Sequence, residues 1–139
     1  MSGGIDAVVL NASALALMGT LDLPTKRYEL MSDIIQRGTF LMGKACLPHL
    51  IQAENPHILA ISPPLDFAEH WWGDHLGWTM TKYAMSLCVR GWSQEFKAQG
   101  VAANGSSGAA MPVLHDVGLA KARTSIASRL SLCDGESKR

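Results

Sequence analysis

The fold is decided by the stretch 55–64, which reads NPHILAISPP. Its almost continuous apolar run at 57–62 lies between Asn55-Pro56 on one side and Pro63-Pro64 on the other. Proline cannot donate a backbone hydrogen bond, so a central strand has to begin after the first of these pairs and end before the second. We therefore predict a short strand that is buried on both faces, as the strands of parallel sheets are.

Two similar runs predict further strands at 5–10 (IDAVVL) and 101–104 (VAAN). The residues between the runs follow helical spacing at 26–50 and 76–99, and the second helix is expected to stop at Gly100. Helices of this length are too long for hairpin connections, so the strands are expected to run parallel through right-handed crossovers. The sequence predicts an α/β fold, with a parallel sheet and flanking helices.

The predicted helix at 76–99 carries two apolar stripes, and a helix with one neighbour needs only one. The first stripe consists of Leu76, Met80, Tyr83 and Leu87, and the second of Met85, Val89, Trp92 and Phe96. Two interpretations remain open: the second side packs against another subunit, or the helix is buried in its own domain. In the earlier helix, Gly38 and Gly43 indicate close packing against a neighbouring element.

The end of the chain is expected to add a turn and a helix to the fold. The GSSG at 105–108 predicts the turn, and the pattern at 113–130 predicts a final helix. The chain of 139 residues has the length of one domain. We expect that domain to cover 1–130, followed by a flexible tail at 131–139.

The composition argues against two classes of protein. Hydrophobic residues make up 47% of the chain and charged residues 17%, which is too apolar for a disordered protein. The 12 Lys and Arg residues balance 12 Asp and Glu residues. A net charge of zero argues against a nucleic-acid partner, which would need a cationic surface. We expect a folded domain that binds no nucleic acid.

The cysteines and the first apolar run indicate where in the cell the protein is located. Cys46, Cys88 and Cys133 are too few and too scattered for a disulfide framework, which predicts reduced thiols in an intracellular protein. The apolar run at 7–18 falls short of the roughly 18 residues that a membrane-spanning helix needs. It also lacks the preceding basic residues of a signal peptide. We expect no membrane span.

The loop after the second predicted strand contains histidines and aromatic residues. His70 and His75 have an i, i+5 spacing that matches no metal-ligand pattern, so we expect no metal site. Phe67, Trp71 and Trp72 are open to two interpretations. They line a substrate entrance or form a lipid-facing lid, or they pack under the loop that carries them.

Three short motifs resemble those of one enzyme family. Asn11-Ala12-Ser13, directly after the first strand, resembles the second half of an Asn-Asn-Ala-Gly motif. Ser62 ends the next strand, and Trp78 and Lys82 are spaced like a Tyr-x-x-x-Lys motif. Motifs of this kind, in this order, are typical of the short-chain dehydrogenases/reductases.

Longer strings resemble the hydroxysteroid dehydrogenase-like subgroup of that family. They are KRYELM at 26–31, RGTFL at 37–41, KACLPHL at 44–50, ENPHIL at 54–59, SPPL at 62–65 and KYAMS at 82–86. The resemblance covers residues 3–104 well and is weaker as far as residue 126. It implies part of a Rossmann-like, doubly wound sheet and NADP- or NAD-linked chemistry on a hydroxy or keto substrate, which could be lipid-like.

The resemblance also implies roles for individual residues. Ser62 would polarise the substrate carbonyl, Lys82 would hold the nicotinamide ribose, and Trp78 occupies the acid–base position. Asn11, Ala12 and Gly108 would lie beside the cofactor. The family includes mitochondrial and peroxisomal members, so those compartments are implied beside the cytoplasm.

Four departures from the family pattern predict that the chain turns over negligibly. Trp78 stands where the family has its tyrosine, and an indole N–H donates a hydrogen bond but does not ionise in this range. Ile35 stands where the family has its catalytic asparagine. Ser107-Gly108 replaces a Pro-Gly segment, and no G-x-G-x-x-G occurs in the chain to hold a pyrophosphate.

Simpler interpretations stand beside these roles. Asn11 could cap the strand end, Ser62 could form a turn before Pro63, and Lys82 could be a surface cation. The whole chain could be a non-catalytic interaction protein. In that case the helix at 76–99 would form a homodimer, and the strand at 5–10 would be a bare sheet edge open to pairing.

Overall fold

The computed structural model describes residues 4–106, and within that range the three strands form one parallel sheet in the order β1-β2-β3. The strands are β1 (Ala7–Leu10), β2 (His57–Ile61) and β3 (Ala102–Ser106). The helices are α1 (Thr25–Met31), α2 (Gly38–Leu50) and α3 (Leu76–Glu95). The predicted α/β fold class, with parallel strands and flanking helices, is confirmed. The predicted helix at 113–130, the tail at 131–139 and Gly108 lie outside the described residues.

The first predicted helix is continuous in space but contains a change of helical type. α1 leads into a π-helical segment (Ser32–Arg37), which leads directly into α2. The predicted single helix at 26–50 is therefore three consecutive helical segments. π-Helical turns inside helices are rare and occur frequently near functional sites. Ile35, at the centre of this segment, is fully buried.

The second predicted helix ends as expected, although its last turn changes type. α3 stops at Glu95 and is followed by a 3₁₀ turn (Lys97–Gln99). Gly100 then adopts a left-handed conformation with φ of 78°, which glycine accepts without steric cost. The chain reverses there and enters β3.

The predicted turn at 105–108 is wrong at its first two residues, because β3 extends to Ser106. Gly105 pairs with Ala60 and Ser106 with Ile61 in the parallel register. A Cβ at Gly105 would lie 2.8 Å from the Ser62 hydroxyl oxygen, so glycine is needed here for close approach to β2. The pair Gly105-Ser106 is typical of a turn, but in this place it continues a strand.

The prediction of strands buried on both faces is wrong for the described residues 4–106. Both crossovers step in the same direction across the sheet, so right-handed connections place the helices against one face. Ile58 and Ala60 lie on that face and are buried, whereas Val9 on the opposite face is 61% exposed. Registered partners share a face, so Leu59 and Asn104 lie on the same side as Val9.

The core lies between the sheet and the helices. The largest fully buried apolar side chains are those of Met31, Ile35, Leu50, Ile58 and Met85. The second stripe of α3 is part of this core, with Val89 and Trp92 buried beside Met85. None of the helices within residues 4–106 is long and apolar enough to cross a bilayer.

α2 and α3 make their closest contact where Gly43 meets Trp92. A Cβ at Gly43 would overlap the six-membered ring of the indole, which is itself buried. The expectation that glycine in this helix marks close packing is confirmed at this position. Gly91 on α3 offers a contrast, because a Cβ there would meet no atom within 4 Å.

We predict that Gly43→Ala lowers the free energy of unfolding by about 1–3 kcal/mol, because the added methyl group overpacks a rigid contact. The matched control, Gly91→Ala, is expected to raise it by up to about 1 kcal/mol through helix propensity alone. Urea unfolding of the two variants measures both values. A Gly43→Ala variant at least as stable as the parent chain would contradict the described packing of α2 on α3.

Candidate active site

The residues of interest meet at one edge of the sheet, where the parallel strands end. Asn11 and Ala12 follow β1, and Ser62 follows β2. In parallel α/β sheets, ligands bind at this carboxyl edge. The topology therefore brings the predicted site residues of the first two strands to the same edge.

Ser62 is fixed by its backbone, while its hydroxyl group has no partner. The backbone N–H of Ser62 donates to the carbonyl of Ser106 at 3.1 Å. The side chain is 3% exposed, and its Oγ forms no hydrogen bond within the described part of the chain. Ser62 is thus a buried hydroxyl group that could donate to an oxygen of a ligand.

Lys82 reaches the same end of β2 from α3. Its Nζ donates to the carbonyl of Ile61 at 3.1 Å and lies 3.7 Å from the sulfur of Met85. The residue is 8% exposed and pairs with no carboxylate among residues 4–106. Burial lowers the pKa of the Lys82 ammonium, because the charged form loses its hydration. The interpretation of Lys82 as a surface cation is therefore wrong.

Trp78 lies one helical turn before Lys82 and on the same side of α3. Its indole Nε1 is shielded from solvent and has no acceptor in the described structure. The ring lies beside that of His75, with centroids 5.7 Å apart. Trp78 is thus a hydrogen-bond donor that is shielded from solvent and has no partner in the described structure.

Three side chains of α3 hold the chain that follows β2, and we call this set of hydrogen bonds the α3 clamp. Lys82 donates to the carbonyl of Ile61, Ser86 to that of Pro63 at 2.6 Å, and Tyr83 to that of Asp66 at 2.5 Å. The sequence reasoning assigned no role to Ser86 and placed Tyr83 in an apolar stripe. The sequence signal that could have identified both residues is the polar group that each carries within four residues of Lys82.

An aromatic group, which we call the aromatic plate, lies on the same loop. Phe67 stacks on Trp72 with ring centroids 6.0 Å apart, and both rings contact Tyr83. Phe67 is 73% exposed, so it does not pack under the loop. The interpretation of simple packing therefore does not hold for Phe67, and those of a substrate entrance and a lipid-facing lid remain open.

The other predicted site residues lie nearby or in the core. Asn11 and Ala12 are exposed at the end of β1. Ile35 is part of the hydrophobic core and presents no polar group. No group of metal-ligating side chains occurs within residues 4–106.

The chain is similar to proteins named hydroxysteroid dehydrogenase-like protein 2. It is 50% identical over 95 residues to the one from Danio rerio, which covers 68% of this chain and 23% of that protein. The identity to the one from Homo sapiens is 50% over 97 residues, or 70% of this chain and 23% of that protein. The chain therefore spans about a quarter of the length of these relatives. No family profile matches it.

The fold leads to the same group of proteins. A short-chain dehydrogenase from Mycobacterium thermoresistibile superimposes with a TM-score of 0.71 and 41% identity. The match covers 74% of this chain and 36% of that one. The sequence comparison and the fold comparison agree. The chain belongs to the short-chain dehydrogenase/reductase family, and within it the chain is similar to the hydroxysteroid dehydrogenase-like proteins.

Proposed function

We propose that the chain carries the substrate side of an NAD(P)-linked oxidoreductase site and that its own turnover is negligible. The observation that carries the proposal is Trp78, whose buried Nε1 has no acceptor and lies one turn from Lys82. Ser62 completes the set with a second unpartnered donor. Such donors suit a substrate oxygen, but neither an indole nor a lone hydroxyl supplies the proton transfer that reduction requires.

The described residues fit the nicotinamide end of a cofactor. One N–H of the Lys82 ammonium donates to the Ile61 carbonyl, and its remaining donors suit the hydroxyl groups of a ribose. Asn11 and Ala12 are exposed at the same edge of the sheet, beside that position. When bound, NADPH or NADH would supply the hydride. The residues of this chain would orient it and the substrate carbonyl.

No neighbouring residue replaces the missing acid. The hydroxyl of Tyr83 donates to Asp66, and Tyr83 lies about 100° around the helix from Lys82. Ile35 is enclosed in the core and cannot order water behind the lysine. The aromatic plate favours an apolar substrate, which is in keeping with a lipid-like hydroxy or keto compound.

We predict that the purified 139-residue protein binds NADPH but does not oxidise it. The test follows NADPH absorbance with 2-octanone and acetophenone as substrates, and a separate fluorescence titration measures cofactor binding. Because the chain contains no G-x-G-x-x-G turn for the pyrophosphate, the expected result is saturable but weak binding and a rate equal to that of buffer. Clear turnover would overturn the claim that Trp78 blocks proton transfer.

We further predict that Trp78→Tyr alone does not restore turnover. The phenol would supply the proton, but Ile35 still presents no polar group behind Lys82, and the chain contains no G-x-G-x-x-G turn for the pyrophosphate. The same absorbance assay applies. Restored turnover in this single variant would show that the phenol was the only missing part.

A second candidate function is a non-catalytic homodimer, and it is favoured by the first stripe of α3. Leu76, Met80 and Leu87 are exposed, and Leu87 is 57% exposed. Leu87 and Phe40 also line a groove of about 550 Å³ between the π-helical segment (Ser32–Arg37) and α3. Exposed apolar side chains on facing helices are suited to a symmetric contact with a second copy.

We predict that the chain runs at twice the monomer mass in light scattering and that Leu87→Arg converts it to a monomer. Leu21→Arg is the matched control, because Leu21 is 100% exposed and lies in the loop before α1. The control is expected to remain dimeric. A monomeric parent chain, or dissociation by both variants, would contradict an interface on α3. A dimer that does not bind NADPH would favour this second candidate function over the first.

The compartment is also a proposal. Cys46 and Cys88 are both free thiols in the described structure. Reduced cysteines are typical of intracellular proteins, so we infer an intracellular location.

A further inference from the structure

Three buried polar groups at the carboxyl end of β2 share one property: each can donate a hydrogen bond and none has an acidic partner. They are the hydroxyl of Ser62, the indole N–H of Trp78 and the ammonium of Lys82, which we call the donor triad. Ser62 directly follows Ile61, whose carbonyl accepts from Lys82. Trp78 lies one turn before Lys82 on the same side of α3 and packs against the core.

The chemistry of the triad specifies the ligand atom. A buried donor without an acceptor costs free energy, and a buried cation without a counter-charge costs more. A ketone oxygen would satisfy the two neutral donors but would not neutralise Lys82. An ionised carboxylate accepts at both oxygens, carries the missing negative charge and brings no proton of its own.

The surroundings specify the rest of the ligand. The aromatic plate, formed by Phe67, Trp72 and Tyr83, lies on the loop that starts at Ser62. The α3 clamp fixes that loop at Pro63 and Asp66. An exposed aromatic ring that is held in place in this way suits the apolar part of a ligand.

We propose that the donor triad binds the carboxylate of an apolar acid and holds it without reaction. The acid lies with its carboxylate at Ser62, Trp78 and Lys82 and its hydrocarbon part against Phe67. The inference rests on the proposed function for the location of the substrate site, but it does not depend on the cofactor.

The test uses octanoate as the probe and the indole N–H signals of the 15N-labelled, full-length chain as the readout. Trp78→Phe assigns the Trp78 signal by its loss. Octanoate is expected to move the Trp78 signal downfield in a saturable way, because its carboxylate accepts a hydrogen bond from Nε1. The signal of Trp92, buried between α2 and α3, is expected to stay in place.

Two comparisons separate the triad from general apolar binding. 2-Octanone and octylamine have the same chain length but no carboxylate, and they are expected to bind at least tenfold more weakly. Ser62→Ala and Lys82→Gln are expected to weaken octanoate binding about tenfold or more, since each removes a hydrogen bond to a charged group. Ser93→Ala on the exposed side of α3 is the matched control and should have no effect.

The outcomes distinguish this inference from the proposed function. No shift at Trp78, equal affinity for octanoate and 2-octanone, or an effect of Ser93→Ala as large as that of Ser62→Ala would overturn the inference. NADPH titration of the same sample is independent. Octanoate binding without NADPH binding would overturn the cofactor proposal alone, and the reverse result would overturn the inference alone.

Discussion

The site depends on the hydrogen bonds by which α3 holds the chain after β2. Pro63 and Pro64 have no backbone N–H, so this segment cannot donate the hydrogen bonds that would extend the pairing of β2 with its neighbours. Its carbonyls are satisfied instead by side chains of α3, with Lys82 bound to Ile61 and Ser86 to Pro63. The same residues that end the strand therefore create the need for the α3 clamp. The clamp places the buried Ser62 hydroxyl and the Lys82 ammonium at one point of the sheet edge.

The proposed function, binding with negligible turnover, rests on this arrangement. The family pattern needs one group that both donates and accepts a proton next to the lysine, and Trp78 only donates. The described site is consequently rich in donors and poor in acceptors. Under the proposed function, an electron-rich oxygen would be stabilised there, and Trp78 would not supply the proton that completes a reduction. The lowered pKa of Lys82 has the same origin, because the cation is buried without a counter-charge.

Much of the fold was predictable from local pattern, since apolar runs between prolines and glycines give strands and their spacing gives helices. The extension of β3 was not, because Gly105 and Ser106 read as a turn and are strand residues only through pairing with β2. The exposure of Val9 could not be predicted either, because it depends on which face of the sheet the helices cover, and that is a property of the tertiary structure. For the site, motif spacing identified Ser62, Trp78 and Lys82. It missed Ser86, whose role depends on a carbonyl 23 residues earlier in the chain.

The central claim is that the α3 clamp holds the segment after β2, and the most direct test is the stability of Ser86→Ala against Ser93→Ala. Both serines donate to a carbonyl, but Ser86 is buried and its part-buried hydrogen bond reaches Pro63 after β2, whereas Ser93 makes an exposed hydrogen bond to Arg90 of its own helix. Loss of the Ser86 hydroxyl leaves a shielded carbonyl unsatisfied, and we expect it to lower the free energy of unfolding by about 1–3 kcal/mol. Ser93→Ala is expected to stay within about 0.5 kcal/mol of the parent chain. Equal stability of the two variants in urea unfolding would contradict the account.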